Sequence, residues 1–348
     1  MRTQKLKFIL LAVGAVFLTS CTSLLYTSLD VLHPAKVAFA PDANNLLIVN
    51  NTVNQPANYG HKTELINQNA KSVNISTDST SMFCLGALLE DLEGKDFFSS
   101  VNLIPNSVNK SNDFFNITDL DEKTVKDLCT ANHTNVILSL DNIKVSDDLT
   151  ESYLVDNATF LASLELRFES TWSIHYMNRP EVTKIQFKDT VSWEAESYHR
   201  KDTMKGLPKR ADALVDGALT VGHNCINRFV PYWDKVDRYF FNSKNKLMKQ
   251  GMDSVYVKNW KSAISSWEKV LSTEKSASLR GQAANNIAIG YEILGDMDKA
   301  MEYAVTSLKS FGELKVIDYD TVLRISDYVT ELNQRRSEVP ILKKQLGE

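Results

Sequence analysis

The chain has 348 residues, enough for about two domains of ordinary size. Its 39 Lys+Arg against 43 Asp+Glu give a net charge of −4, with 43% hydrophobic and 24% charged residues. That composition excludes a disordered chain, a collagen-like repeat and a disulfide-knotted mini-fold, and the mild acidity carries no basic footprint for nucleic acid.

Arg2, Lys5 and Lys7 precede an apolar run over residues 8–18 that ends in Thr19-Ser20-Cys21. The run is far shorter than the roughly 20 residues that span a bilayer as a helix, and it has the three-part order of a secretory signal. Leu18-Thr19-Ser20-Cys21 resembles a bacterial lipobox, in which the cysteine is acylated and becomes the first mature residue. The expectation is a signal peptide over 1–20 and lipidation at Cys21. Acyl chains contribute about 0.8 kcal/mol per buried CH₂, so the chain would be anchored without spanning. Loss of residues 1–20 leaves 36 Lys+Arg against 43 Asp+Glu, a mature charge of −7. Thr22 stands where, by resemblance to enteric lipoproteins, an aspartate directs inner-membrane retention. No acidic cluster of the kind resembling a Bacteroides-type surface-export signal follows. The expected location is therefore the outer membrane, facing the periplasm.

Residues 21–35 read as a tether, leading into a strand over 36–39 between Pro34 and Pro41. Residues 46–49 form a buried strand, and the polar stretch 54–80 reads as a long loop. Met82, Leu85, Leu89 and Leu92 recur at helical spacing up to Gly94. A strand over 101–104 follows. Thr118-Asp119-Leu120-Asp121 then announces a helix with Val125, Leu128 and Cys129 on its apolar stripe, before a strand over 136–140. Two strand–helix–strand units in succession predict an α/β layer.

From Phe160 to Tyr176 the even positions are Phe160, Ala162, Leu164, Leu166, Phe168, Ser170, Trp172, Ile174 and Tyr176. Glu165, Arg167, Glu169 and His175 lie between them, so one face meets a core and the other water. Ile185, Phe187, Val191 and Trp193 continue the alternation after the turn at residues 178–181. The result is a long antiparallel hairpin closing an α/β domain over 36–200 with a mixed sheet.

Beyond a polar linker the pattern predicts an all-α domain over 209–348. Its first helix carries Ala211, Leu214, Val215, Ala218, Val221, Gly222 and Cys225 on one face. Tyr232-Trp233 and Tyr239-Phe240-Phe241 read as a packed aromatic seam where the helical segment docks. Ile287, Ala288, Tyr291, Gly295 and Ala300 follow a tetratricopeptide pattern, and Trp260, Ala263 and Trp267 match the second helix of a preceding repeat. Repeats are expected over about 243–310, with a capping helix over 321–334. The fold class is therefore α+β, an α/β domain followed by tetratricopeptide-like helices.

No zinc-protease, nucleophile-elbow, P-loop or dinucleotide-binding signature occurs, and His33, His61, His133, His175, His199 and His223 are scattered. His223 and Cys225 sit at adjacent helical positions that do not face each other. Asp147-Asp148 lacks the spacing of a calcium loop and reads as a solvated loop. Cys84, Cys129 and Cys225 read as core residues without CxxC or zinc spacing. No cofactor, metal or catalytic residue is expected. Five Asp-Ser/Thr triplets, at Asp78, Asp189, Asp202, Asp253 and Asp320, resemble the O-glycosylation sequence of Bacteroidota envelope proteins.

The lipobox, the segment Pro34-Ala35-Lys36-Val37-Ala38-Phe39-Ala40-Pro41 leading to Leu47-Ile48-Val49-Asn50-Asn51, Pro231-Tyr232-Trp233 with Arg238, and the Trp260 to Trp267 repeat together resemble a family of uncharacterised Bacteroidota tetratricopeptide lipoproteins. That resemblance implies location and architecture and carries no activity. The α/β part resembles, more loosely, amino-terminal domains of periplasmic assembly proteins of the TolB or curli-secretion kind, a likeness of fold alone. The expected function is non-enzymatic: a membrane-anchored scaffold whose helical repeats take a protein partner. The alternatives are a glycan- or peptidoglycan-processing enzyme working through carboxylates, and a subunit of an outer-membrane secretion or assembly complex.

Overall fold

A computed structural model describes residues 23–347. The chain divides into an α/β unit, Ala35–Pro231, and a helical unit made of Tyr232–Leu346 with the segment ending at Pro34. The fold is α+β.

In the α/β unit, β2 (Asn45–Asn50) lies between two parallel neighbours, β5 (Ser100–Ile104) and β6 (Val136–Leu154). Leu46, Leu47, Ile48 and Val49 are all buried, as a strand covered on both faces demands. Leu46, Ile48, Val136 and Leu138 face α1 (Thr80–Glu93) and α4 (Arg210–Phe229), while Leu47, Val49 and Ile137 pack with Val125 and Cys129 of α2 (Glu122–Ala131). The Asp121 carboxylate caps α2 by accepting from Thr124 N at 2.7 Å. Gly222 lets α4 approach α1 closely: a Cβ there would lie 2.3 Å from the Cys84 carbonyl oxygen.

β6 runs on past β2, where β3 (His61–Glu64) joins the same edge, also parallel, and β4 (Lys71–Ser72) pairs antiparallel with β3. Its other edge carries the antiparallel meander of β7 (Thr159–Tyr176) and β8 (Arg179–Ser197). The β6–β7 register slips between Leu140 and Asn142, which leaves Asp141 as the extra residue of a bulge. The short α3 (Arg200–Thr203) precedes α4.

The helical unit begins with a two-stranded ribbon. β1 (Ser23–His33) pairs antiparallel with β9 (Tyr232–Asn242), from Ser23↔Asn242 to His33↔Tyr232. Then follow α5 (Lys246–Tyr256), α6 (Trp260–Thr273), α7 (Ala277–Ile293), α8 (Met297–Gly312) and α9 (Tyr319–Leu346). Asn245, Asn259, Ser276 and Asp296 cap the first four through side-chain oxygens. Gly295 takes φ +81° at the α7–α8 turn, a conformation that favours glycine.

Several expectations change. Residues 23–33 are a strand, not a tether: Leu25, Thr27, Leu29 and Val31 alternate to the less exposed face while the backbone pairs with β9. No strand forms over 36–39, where Val37 N instead donates to Arg228 O at 3.0 Å. The stretch 54–80 contains β3 and β4, whose polar residues hid them. Met82 is exposed, and Cys84, Leu85, Leu88 and Leu92 form the buried stripe of α1. The helix expected to open the helical domain, α4, belongs to the α/β unit, because its apolar stripe is covered by α1 and the sheet. The aromatic segment after Pro231 is β9, one half of the ribbon, and the capping helix is longer than expected. Asp147 and Asp148 sit within β6, with Asp147 buried.

Candidate functional site

Leu18, Thr19, Ser20 and Cys21 lie outside the described residues. The expected repeat residues converge in one core. Ala263, Trp267, Ala288 and Ala300 are fully buried, and Trp267 stacks on Phe240 with ring centroids 5.8 Å apart. Trp260 stacks on the same ring at 6.3 Å. A Cβ on Gly251 would lie 2.1 Å from Trp267 Nε1, so that glycine makes room for the indole, whose Nε1 donates to Met248 O. Tyr291 stacks on Tyr303, and both hydroxyls donate to Glu268 Oε1 at 3.3 Å. These residues build the helical wall; a cavity of about 240 Å³ opens beside it.

The cavity floor is polar and buried. Arg238 on β9 donates from Nε and Nη2 to the two carboxylate oxygens of Glu292 on α7, both at 2.9 Å. Glu292 also accepts from Tyr328 Oη at 2.8 Å and from Arg335. The Arg238 guanidinium lies over the Tyr328 ring, 4.9 Å from its centroid, and its Nη1 meets Glu331 at 2.8 Å. Burial pushes the Tyr328 hydroxyl well above the usual phenol range, keeping it protonated as a donor.

Two buried polar atoms beneath the cavity are left unpaired. Asn285, fully buried, donates from Nδ2 to Tyr239 O at 3.0 Å, which fixes its amide orientation. Its Oδ1 and the Tyr239 hydroxyl are both buried and have no hydrogen-bond partner among the described residues. Burial also pushes the Tyr239 hydroxyl upward, so it stays neutral. The rim carries Tyr26, Asp237, Arg324, Asp327 and Glu331. Arg324 Nη1 donates to Tyr26 Oη at 3.0 Å, and Ser28 donates to Asp237 at 2.6 Å.

In the α/β unit most buried polar groups answer one another, while Asp147 Oδ2 and Arg210 Nε meet as an ion pair without a hydrogen bond. Asp141 accepts from Asn51 Nδ2 at 2.9 Å, Ser139 Oγ at 2.8 Å and Ser173 Oγ at 2.5 Å, with His175 Nε2 3.3 Å from Ser139 Oγ. Burial raises the Asp141 carboxyl and lowers the His175 imidazole, each toward its neutral form. His175 thus departs from the expected water-facing position: it is buried beside Ser173. His61 meets Asp147, which also faces Arg210 Nε at 2.7 Å. A wider hollow of about 530 Å³ lies over residues 64–69 and 150–152, where Arg200 clamps the buried Glu151 carboxylate and holds it below the usual range.

Sequence reasoning quoted Arg238 and Tyr239 without joining them, and missed Tyr26, Glu292, Arg324, Asp327, Tyr328 and Glu331. The available signal was the inward–outward alternation of residues 25–31, which marks β1 and so puts Tyr26 beside β9.

A model described as a domain of unknown function (DUF6340) matches residues 249–334. No curated protein matches the chain. One solved structure, titled "Crystal structure of uncharacterized protein", is 11% identical and covers 55% of this chain and 97% of its own, with a TM-score of 0.22, too low to bear on the fold. A second family model, described as a domain of unknown function (DUF8603), matches residues 43–241, more than half of the length, and the chain belongs to that family.

Proposed function

We propose that this protein is a lipoprotein of the bacterial envelope, held on the periplasmic face of the outer membrane through acylated Cys21, and that it works without catalysis as a scaffold for a protein partner. The tetratricopeptide-like character of α5 to α8 and the lipobox resemblance support this reading, as does the resemblance of the sequence motifs to those of Bacteroidota lipoproteins. The observation that carries it is the cavity of about 240 Å³ on the helical unit, whose rim carries the exposed charged side chains of Asp237, Arg324, Asp327 and Glu331. Glycan processing by carboxylates of the α/β unit has less physical support, since Asp141, Asp147 and Glu151 are engaged by neighbouring donors.

Two measurements test the proposal. Cys21→Ala should move the protein from the membrane to the soluble fraction and abolish lipid labelling; unchanged fractionation and labelling would sink the anchor. A photo-crosslinker at exposed Leu323 should capture one stoichiometric protein in cells. No captured partner, together with turnover of a cell-wall fragment, would replace the scaffold by an enzyme.

A further inference from the structure

We infer that Cys84 of α1 and Cys225 of α4 are oxidation partners, joined as a disulfide in the mature protein. This rests on the envelope reading, which supplies a compartment where disulfides persist.

The two thiols meet where the helices come closest. Cys225 follows Gly222 by one turn on the same face of α4, and a Cβ added to Gly222 would collide with the Cys84 carbonyl oxygen and the Ala87 Cβ. Gly222 and Ala87 thus let the backbone of α4 lie against that of α1. A disulfide requires such an approach, since its Cα atoms lie about 4.4–6.8 Å apart. The thiols also share a hydrogen bond, so the sulfurs face one another across the crossing. Both side chains are fully buried in one hydrophobic cluster.

The cysteine inventory closes on the same pair. The sequence has four cysteines, of which Cys21 is taken by lipid in the envelope reading. Cys129 packs with Leu47, Val49 and Val125 on the opposite face of the sheet, which stands between it and the other two. Cys84 and Cys225 are the pair that remains.

The oxidant is a second disulfide, carried by a protein or a small molecule of the envelope. One cysteine thiolate attacks a sulfur of that disulfide, breaking its S–S bond and forming a mixed disulfide. The other thiolate then attacks the cysteine sulfur of the mixed disulfide. The Cys84–Cys225 bond forms and the oxidant's second sulfur leaves. Two electrons pass from the cysteines to the oxidant, whose two sulfurs take up the two thiol protons. Burial closes both thiols to solvent in the folded protein, so the exchange belongs to folding, before α4 settles on α1. Afterwards the same packing seals the bond from reductants.

The test uses the full chain, taken from cells quenched in acid, denatured and treated with N-ethylmaleimide before any reductant. Among residues 84, 129 and 225, maleimide should be found on Cys129 alone, and on all three when reduction precedes it. Proteolysis without reduction should release a peptide pair joining Cys84 to Cys225. Purified chain refolded from urea with oxidised glutathione should form the same bond. Its urea midpoint should lie about 1 M above that of the same chain kept reduced, a comparison free of the cavity a substitution would leave.

Maleimide on Cys84 and Cys225 in the chain from cells would overturn the proposal. So would a bond to Cys129 or to a second chain, or a midpoint no higher than that of the reduced chain. Lipid labelling separates the two claims. If Cys21 carries lipid while Cys84 and Cys225 carry maleimide, the disulfide falls and the anchor stands. If the bond is present and no lipid is found, the anchor falls and the disulfide stands.

Discussion

The two units bury comparable polar chemistry and finish it differently. In the α/β unit, Asp141 has three donors around it, and Asp147 is enclosed by His61 and Arg210. In the helical unit, the Arg238–Glu292 pair is equally well made, yet Asn285 Oδ1 and the Tyr239 hydroxyl beside it are left open. Polar groups that satisfy one another fix an architecture, whereas a buried one left unpaired costs free energy. The contrast is between a polar cluster closed on itself around Asp141 and one in the helical unit that keeps unpaired atoms.

The sharpest way to break that contrast is to attack Glu292. Its carboxylate accepts from Arg238, Tyr328 and Arg335, so Glu292→Leu strands a buried guanidinium and should cost about 3–5 kcal/mol in urea unfolding. The double variant Glu292→Leu/Arg238→Leu should recover much of that loss, and a double variant no better than the single would show that the pair is not what matters. In the α/β unit the comparable lesion is steric. Gly222→Ala drives a methyl into the Cys84 carbonyl and the Ala87 Cβ, 2.3 and 2.7 Å away, and should cost about 1–3 kcal/mol.

A closed polar core should also titrate in a definite direction. The folded His175 imidazole binds its proton less readily than the unfolded one, because burial disfavours the charged form. Below about pH 6.5 the unfolded chain therefore takes up more protons, and stability should fall as pH drops through that window. The raised Asp141 carboxyl acts oppositely and lower, near the unfolded carboxylate range, where stability falls as pH rises. Chemical unfolding between about pH 5 and 6.5 should show the first slope, and His175→Gln should flatten it; an unchanged slope would point to another group.

The thiols give a gentler test of closure. Burial pushes Cys129 to about 11, and a hydrogen bond with Cys225 together with burial raises Cys84 well above the ordinary range. Alkylation of the folded protein near neutral pH should be at least roughly 100-fold slower than after unfolding. The smallest effect is a gain. Gly86 in α1 has nothing within 4 Å of an added Cβ, so Gly86→Ala should stabilise by about 0.5–1 kcal/mol, read as a shift in urea midpoint.

The elements legible in the sequence were those whose pattern is local. The continuous apolar run of β2, the seventeen-residue alternation of β7 and the Ala288/Tyr291/Gly295/Ala300 spacing of α7–α8 each carry their own period. β3 was invisible because His-Lys-Thr-Glu has no apolar alternation; it is held by the buried His61. α4 showed its apolar stripe but not what covers it. The cavity was illegible for a stronger reason: Tyr26, Arg238, Asn285 and Arg324 come from four elements, and no spacing along the chain links them. Sequence period reports a face, whereas a site is made where several faces meet.

The β1–β9 ribbon has a topological consequence. His33 and Tyr232 are paired at one end of it, so the chain leaves for residue 35 and returns at residue 231 through adjoining positions. The α/β unit is therefore an insert, spliced into what would otherwise be the turn of a β-hairpin. The helical unit is the host, interrupted in sequence but continuous in space. Joining residue 34 to residue 232 by a short loop would give an unbroken hairpin followed by five helices, a miniature that keeps every residue lining the cavity.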